Sequence, residues 1–462
     1  MSATAPAATP APTTRFWFEN AYLSDGWARN VTLSVSDGWI TGIDVGTDSR
    51  AASERHAIAL PGLPNLHSHA FQRAFAGGTE VRGPTGDSFW TWREAMYRAV
   101  DRMDPDDVEA IATLAYVEML EAGFTRVGEF HYLHHDKNGN PYRNIGELSE
   151  RICAAASATG IALTLLPVFY AHGGFGGQAP THGQRRFINN INSFERLIES
   201  ARKPVADLPD GVLGLAPHSL RAATVEQIAA LAPLTDGPVH IHVAEQMKEV
   251  EDCLAFAGQR PVAYLLDHAP VDARWCLIHA THMRPQETRA MAKSGAVAGL
   301  CPITEANLGD GIFPAPAFLE AGGRYGVGSD SNVRIDAAEE LRLLEYSQRL
   351  AHRARNVLAM TEGRSTGAAL FAGALEGGAQ ALGAPAGLKV GAPADMVSLD
   401  ASHPSLTERQ GNALFDGWIF AAAGTAVDCV WRRGVKLVEA GRHRDREVAR
   451  RRFAAVLTKL AA

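Results

Sequence analysis

The stretch LPGLPNLHSH, residues 60–69, joins a short apolar run to two histidines placed two residues apart. Side chains two apart in a β-strand point to the same face, so the imidazoles of His67 and His69 can reach one point in space. A bound metal ion requires this convergence of ligand atoms. Two histidines in a surface loop would show the same spacing by chance, so the choice depends on the rest of the chain.

Seven further apolar runs follow, and helical patterns separate most of them. The runs are TRVGEF (125–130), IALTLLPV (161–168), GVLGLAP (211–217), PVHIHV (238–243), WCLIHA (275–280), AVAGLC (296–301) and RYGVGSD (324–330). Eight buried strands separated by helices predict a (β/α)8 barrel. A doubly wound parallel sheet gives the same alternation, so this pattern alone leaves that fold open.

Polar side chains recur where these runs end. They are His67, His69, Glu129, His131, His218, His242, His279 and Asp330. The carboxyl ends of barrel strands meet at one mouth, where barrel enzymes hold their active sites. Unpaired polar groups are costly in a core, so their recurrence favours a site. The sequence therefore predicts an α/β protein with a TIM-like barrel and a polar site at its mouth.

The two chain ends differ from the middle. Residues 15–60 and 384–443 alternate apolar and polar positions, which predicts a small β-sandwich domain built from both ends around a barrel of residues 61–383. Residues 444–462 have helical spacing and predict a C-terminal helix on the outside. Residues 1–14 are rich in Ala, Pro and Thr, which predicts a disordered tail rather than a signal peptide.

Composition limits the class of protein. The 462 residues carry a net charge of −7 without a basic block, which argues against nucleic-acid binding. Five scattered cysteines form no C-x-x-C pair, which argues against a disulfide framework and fits a reducing compartment. No apolar run reaches the ~18 residues of a membrane span. We therefore expect a cytoplasmic protein that binds neither nucleic acid nor membranes.

Three histidines and one carboxylate can bind a borderline cation such as Zn²⁺ and leave a place for water. The candidates are His67, His69, one histidine of PVHIHV and Asp330. His240 and His242 share a strand face, so spacing alone leaves both open. His242 lies nearer the carboxyl end, whereas His240 should lie about 6.6 Å deeper at ordinary strand rise.

The ordered motifs PGLPNLHSHA, HIHVAE, LIHATH and GVGSDS resemble the amidohydrolase superfamily, and within it the mononuclear aminohydrolase branch. That family has a metal-dependent (β/α)8 barrel with a flanking β-sandwich. The resemblance implies metal ligands at His67, His69, His242 and Asp330, and a proton-handling pair at Glu245 and His279. It also implies one metal ion per subunit, Zn²⁺ or Fe²⁺, because no strand-end lysine invites a bridging carbamate, and it implies a homodimer.

The resemblance also implies hydrolytic release of ammonia from a C=N carbon, and the chemistry of these groups suits that reaction. A bound metal lowers the pKa of its water towards ~7. Asp330 can accept the proton of that water, and His279 can orient the nucleophile. Glu245 can carry a proton to the leaving nitrogen, a general acid–base contribution of ~10²–10⁴-fold.

The substrate should be anionic. Arg93 and Arg221 are candidates for binding carboxylates through their guanidinium forks, and Gln72, Tyr132 and His218 could add hydrogen bonds. The stretches DSFWTWRE, EFHYLHHD, HSLRA and TEANLGDGIFP resemble the formimidoylglutamate deiminase family of histidine degradation. That resemblance implies these five residues as substrate contacts and N-formimino-L-glutamate as the substrate, with N-formyl-L-glutamate and ammonia as products.

Two other functions stay open at this stage. A related deaminase of this branch would act on a heterocyclic amine, and Trp90 or Trp92 could stack on such a ring. A barrel kept only for protein interaction would be expected to have lost metal ligands, whereas this chain has the whole set.

Overall fold

A computed structural model describes residues 13–83, 89–422 and 426–461, which contain seventeen strands and fourteen α-helices. The strands are β1 Thr14–Leu23, β2 Gly26–Ser36, β3 Trp39–Asp44, β4 Glu54–Pro61, β5 Leu63–Ser68, β6 Phe124–His131, β7 Ala162–Phe169, β8 Val212–Leu213, β9 Ala216–Pro217, β10 Val239–Val243, β11 Trp275–His279, β12 Val297–Leu300, β13 Arg324–Val327, β14 Met396–Leu399, β15 Val427–Arg432, β16 Val435–Glu439 and β17 Arg442–His443. The helices are α1 Phe89–Val100, α2 Pro105–Glu121, α3 Glu147–Thr159, α4 Ile191–Ala206, α5 Val225–Leu231, α6 Met247–Ala257, α7 Pro261–His268, α8 Pro285–Ser294, α9 Pro302–Leu308, α10 Ala315–Glu320, α11 Ala337–His352, α12 Thr366–Ala381, α13 Asn412–Ala421 and α14 Arg446–Ala461.

The barrel consists of two parallel sheets, β5-β6-β7-β8 and β10-β11-β12-β13, with β9 also paired to β7. A parallel bridge between Leu215 and Val239 joins the first sheet to β10. A second bridge, between Ser68 and Asp330, joins β5 to the segment after β13 and closes the ring. This arrangement confirms the predicted (β/α)8 barrel, in which the carboxyl ends of all strands meet at one mouth.

The run 211–217, predicted as one strand, is divided into β8 and β9. Gly214 lies between them, where an added Cβ would come within 2.3 Å of the carbonyl oxygen of Pro238. The next residue, Leu215, donates its N–H to that same oxygen at 3.1 Å. Glycine is therefore needed where the chain leaves β7 and turns towards β10.

The small β domain is one eight-stranded sheet in the order β17-β16-β15-β14-β4-β1-β2-β3. Asp37 and Gly38 turn β2 into β3 with φ values of 51° and 82°, as a tight hairpin requires. Phe16 and Phe18 of β1 share a buried core with Trp431 of β15. Residues from both chain ends therefore build a single core, as the sequence pattern predicted.

The C-terminal helix lies on the outside of the barrel, as predicted. Helix α14 packs against α2, where Lys459 Nζ donates to carboxylate oxygens of Asp104 and Asp107, each at 2.6 Å. Residues 1–12, most of the segment predicted as a tail, lie outside the described residues, and β1 begins at Thr14.

All five cysteines are buried and free. Within the described ranges, the helices are too short or too polar to cross a bilayer.

Candidate active site

The predicted metal ligands meet at the barrel mouth. His67 lies in β5 and His69 directly follows it, His242 lies near the end of β10, and Asp330 comes three residues after β13. One ligand atom from each residue lies within 4.8 Å of all the others, and all four side chains are buried. The alternation of β5 and the convergence of barrel strands thus bring together residues up to 263 positions apart.

The distances between the ligand atoms are those found around a bound metal ion. Nε2 of His67 lies 3.2 Å from Nε2 of His69 and 3.1 Å from Nε2 of His242. Oδ1 of Asp330 lies 3.3 Å from Nε2 of His69 and 3.5 Å from Nε2 of His67. Tetrahedral Zn²⁺ with bonds near 2.05 Å sets neighbouring ligand atoms about 3.3 Å apart.

The positions of the protons on the histidine rings explain why this cluster needs a cation. Nδ1 of His69 lies 2.9 Å from the carbonyl oxygen of Phe130, and Nδ1 of His242 lies 3.1 Å from that of His218. A carbonyl only accepts, so each Nδ1 carries the proton and each Nε2 presents a lone pair. Burial lowers the pKa of His69 to about 3, which keeps the ring neutral. Lone pairs and a carboxylate facing one another fit a bound metal ion.

His240 lies apart from this cluster. Its Nε2 lies 2.7 Å from the carbonyl oxygen of Ala381, and the side chain is fully buried. His240 is therefore a hydrogen-bonded core residue, and His242 supplies the imidazole that meets His67 and His69.

His279 connects the cluster to two further carboxylates. It is the last residue of β11 and has a φ of 66°. Its Nε2 lies 3.7 Å from Oδ2 of Asp330 and 3.9 Å from Oε1 of Glu245, while Nδ1 lies 3.2 Å from Oε1 of Glu305. Burial alone would lower the pKa of His279, but the carboxylates of Glu245, Glu305 and Asp330 raise it to about 10.

Glu245 has the properties of a group that exchanges protons near neutrality. Burial raises its pKa to about 7, against the opposing effect of the positive charges of His279 and Arg221. The neighbouring Lys248 instead pairs with Asp252, with Nζ 2.7 Å from Oδ2. The Glu245 carboxyl group is therefore not held in a surface ion pair with Lys248.

The backbone that presents Glu245 is held by Glu249. Ala244 has a φ of 52°, a conformation that costs energy for a residue with a Cβ. The fully buried Glu249 accepts the N–H of Ala244 at 3.1 Å and the N–H of Glu245 at 3.3 Å. Sequence reasoning missed both Glu249 and Glu305. The only signals for them were that Glu249 follows Glu245 by four residues, in the first turn of α6, and that Glu305 lies in the stretch TEANLGDGIFP.

A cavity opens beside the cluster. All five predicted substrate contacts line it: Gln72, Arg93, Tyr132, His218 and Arg221. Gln72 Nε2 donates to the Tyr132 hydroxyl at 2.7 Å, and its Oε1 is buried without a hydrogen-bond partner among the described residues. Trp92, which the sequence offered as a residue that could stack on a substrate ring, also lines the cavity, whereas the sequence did not predict the contributions of Phe89, Tyr97, Tyr170 and Phe187.

Comparison with known proteins agrees with this geometry. Residues 58–437 match the model of the Amidohydrolase family. The chain belongs to the amidohydrolase family. Residues 15–57 match a second model, described as Formimidoylglutamate deiminase HutF, N-terminal domain. The amidohydrolase is 52% identical over 446 residues to a formimidoylglutamate deiminase of Pseudomonas aeruginosa, covering 96% of this chain and 98% of that protein.

Solved structures also show similarity to an amidohydrolase and to the fold of a zinc-containing deaminase. A crystal structure of an amidohydrolase from Brucella melitensis is 57% identical, with a TM-score of 0.94 and coverage of 97% of this chain and 100% of that one. An adenosine deaminase from Xanthomonas campestris with bound zinc, at 22% identity, shares the fold, with a TM-score of 0.79 and coverage of 97% and 100%. The family is generally metal-dependent, and this amidohydrolase is a metal-dependent hydrolase that acts on a C–N bond.

Proposed function

We propose that the enzyme hydrolyses N-formimino-L-glutamate to N-formyl-L-glutamate and ammonia, a deimination in histidine degradation. The observation that carries this proposal is the presence of Arg93 and Arg221 in the cavity beside the metal-ligand cluster. Neither guanidinium lies within 4 Å of a carboxylate in the described part of the chain. The similarity to the Pseudomonas aeruginosa deiminase over nearly the full length supports the same activity.

The chemistry of the substrate suits this cavity. A glutamate moiety carries two carboxylates, each of which a guanidinium fork can bind through two hydrogen bonds. The formimino group at the other end is an amidine, whose carbon is open to attack by water. The unpartnered Oε1 of Gln72 is an acceptor for an N–H of this group.

The residues at the barrel mouth have different roles in the hydrolysis. His67, His69, His242 and Asp330 would hold a divalent metal, which when bound would supply an activated water and a positive charge at the reacting centre. Oδ2 of Asp330 faces His279 and can accept the proton of the attacking water, while His279 donates a hydrogen bond that orients it. Glu245 carries a proton to the leaving nitrogen, as its raised pKa permits.

The atoms of this reaction balance. Water adds its oxygen to the formimino carbon, which becomes tetrahedral and then loses the bond to its terminal nitrogen. That nitrogen leaves as ammonia with both protons of the water, and the carbon retains the oxygen as the formyl carbonyl. No oxidant or second substrate is needed.

Other parts of this proposal concern the cofactor and assembly. We propose one Zn²⁺ per subunit, with Fe²⁺ as the other metal that three imidazoles and a carboxylate accept. Metal analysis of the purified enzyme tests this assignment. A homodimer and a cytoplasmic location stay predictions, which sedimentation and cell fractionation test.

The deciding experiment is ammonia release by the zinc-loaded enzyme from N-formimino-L-glutamate, compared with adenosine as a heterocyclic amine. We expect saturable release from the formimino compound and none from adenosine. The heterocyclic alternative is weaker because a neutral ring offers no anionic partner to the two arginines that line the cavity. Release from adenosine alone would contradict the proposed function.

A further inference from the structure

Three cationic groups surround the indole ring of Trp90. Cζ of Arg93 lies 4.5 Å from the ring centroid, Cζ of Arg221 lies 5.7 Å from it, and Nζ of Lys248 lies 5.9 Å from it. A cation is attracted to an aromatic face out to about 6 Å. Because these cations come from α1, from the segment after β9 and from α6, one ring links three separate elements at the barrel mouth.

Other groups compensate part of the charge of the two arginines. Cζ of Arg93 lies 5.6 Å from the ring centroid of Tyr97. Burial alone would lower the pKa of Arg221, but the carboxylates of Glu249 and Glu245 raise it. Nε of Arg93 and Nε of Arg221 are both buried without a hydrogen-bond partner among the described residues. Arg221 is only 7% exposed, so water screens its charge poorly. Two guanidinium groups near the same ring repel each other, and the repulsion grows as water is excluded. The negative face of the indole offsets part of this cost.

An aromatic ring suits this position better than a carboxylate would. A carboxylate between the two arginines would neutralise them and occupy the N–H groups that must bind the substrate. The indole face attracts the guanidinium plane without accepting its in-plane hydrogen bonds. The forks of Arg93 and Arg221 therefore stay available on the side of the cavity that both residues line.

Trp90 lies next to the arginines but does not itself line the cavity among the described residues. The described residues that line the cavity include both arginines and Trp92, but not Trp90. The ring of Trp90 instead contacts Phe89, with centroids 5.2 Å apart, and the cations around it. The stacking role on a heterocyclic substrate that the sequence left open for Trp90 is therefore filled by guanidinium groups.

We propose that Trp90 is a positioning residue that holds Arg93 and Arg221 together for a substrate with two carboxylates, and so determines selectivity for a dianion over a monoanion. The identity of the dianion rests on the proposed function. The interaction itself rests only on the placement of the three side chains.

The first test compares Trp90→Leu and Trp90→Phe with the wild-type enzyme. Loss of a desolvated cation–π contact should raise the KM for N-formimino-L-glutamate roughly 10- to 30-fold in Trp90→Leu, with kcat within about threefold. The KM of Trp90→Phe should lie between those of wild type and Trp90→Leu, because a phenyl ring attracts cations less strongly than an indole but still preserves the fold. Arg98→Ala, an exposed change on the same helix, is the matched control and should behave as wild type.

Selectivity distinguishes positioning from general packing. N-formimino-L-norvaline has the α-carboxylate but lacks the distal one. We expect Trp90→Leu to reduce the preference for the dianion over this monoanion about tenfold. The reason is that only the substrate with two carboxylates needs both arginines held side by side. An equal loss of kcat/KM on both substrates would be the result of a packing defect and would overturn the proposal.

The second test measures binding without turnover. Isothermal titration calorimetry of glutarate, a plain dicarboxylate, should show affinity about tenfold weaker in Trp90→Leu than in wild type at equal metal content. Equal affinity, or no glutarate binding by wild type at millimolar concentration, would overturn the proposal. Wild type that binds glutarate yet releases no ammonia from N-formimino-L-glutamate contradicts the proposed function instead, and the ratio of glutarate affinities still decides the role of Trp90.

Discussion

His279 and Glu305 form a buried pair in which Nδ1 of the imidazole lies 3.2 Å from Oε1 of the carboxylate. The same oxygen accepts the backbone N–H of Cys301 at 2.9 Å, so the carboxylate cannot turn freely. The pair holds one proton on Nδ1, and because the pKa of His279 is raised to about 10, Nε2 also carries a proton that it can donate on the side of Asp330 and Glu245.

Glu305→Gln removes the charge of this pair while preserving its size. We expect kcat to fall roughly 10- to 100-fold, because a hydrogen bond to a charged group contributes about 1.5–3 kcal/mol. Metal content should be unchanged, because Glu305 is not among the four clustered ligands. Steady-state kinetics and metal analysis check this, with the exposed Glu320→Gln as control. A change in kcat of less than twofold would remove Glu305 from the mechanism.

Arg221→Ala separates substrate binding from metal binding. We expect the KM for N-formimino-L-glutamate to rise roughly 10- to 100-fold through loss of a charge-assisted contact with a carboxylate. The zinc content should equal that of the wild type. Arg202→Ala, which removes an arginine that is 51% exposed, is the control and should leave both quantities unchanged. Loss of zinc from the Arg221 variant would contradict its assignment to the substrate.

Glu249→Gln tests how the strained backbone before Glu245 is held. A glutamine offers one acceptor where the carboxylate serves two N–H groups, so Ala244 or Glu245 loses its hydrogen bond. We expect kcat to fall about tenfold, which is the effect of about 1.4 kcal/mol. Amide hydrogen exchange in the peptide that contains both residues should become faster. The exposed Glu251→Gln on the same helix should change neither measurement.

The parts of the site that follow strand periodicity could be predicted from the sequence. His67 and His69 follow from the alternation of β5, and His242 and Asp330 follow from the convergence of strand ends in a barrel. The depth difference of two residues along a strand favoured His242 over His240, and the resemblance to the amidohydrolases assigned it as a ligand. The eight apolar runs likewise indicated the barrel.

Groups held by loops and helix ends could not be predicted in this way. Glu305 meets His279 only because α9 begins immediately after β12, and no periodic pattern marks that contact. The sequence leaves Trp90 open as a stacking residue for substrate, whereas the orientation of α1 turns its ring towards guanidinium groups. The division of the run 211–217 depends on one close approach at Gly214.

An ion-pair cluster near the amino end of the barrel joins the barrel to the β domain. Asp210 accepts from Arg126 of β6, with Oδ2 2.8 Å from Nη2, and from Arg432 of β15, with Oδ1 2.9 Å from Nη2. The two arginine side chains are only 7% and 5% exposed. One carboxylate therefore holds a guanidinium from the barrel and another from the β domain in a site that water hardly reaches.

Asp210→Asn should accordingly destabilise the enzyme without changing its chemistry. Removing one partner of a buried ion pair costs about 3–5 kcal/mol, because the remaining charges stay buried. We expect a lower urea midpoint and, below that midpoint, a kcat close to that of wild type. Asp207→Asn removes a carboxylate that is 64% exposed and pairs with Lys203, so it should cost about 1 kcal/mol or less. Equal midpoints for the two variants would mean that the buried network does not stabilise the contact between the domains.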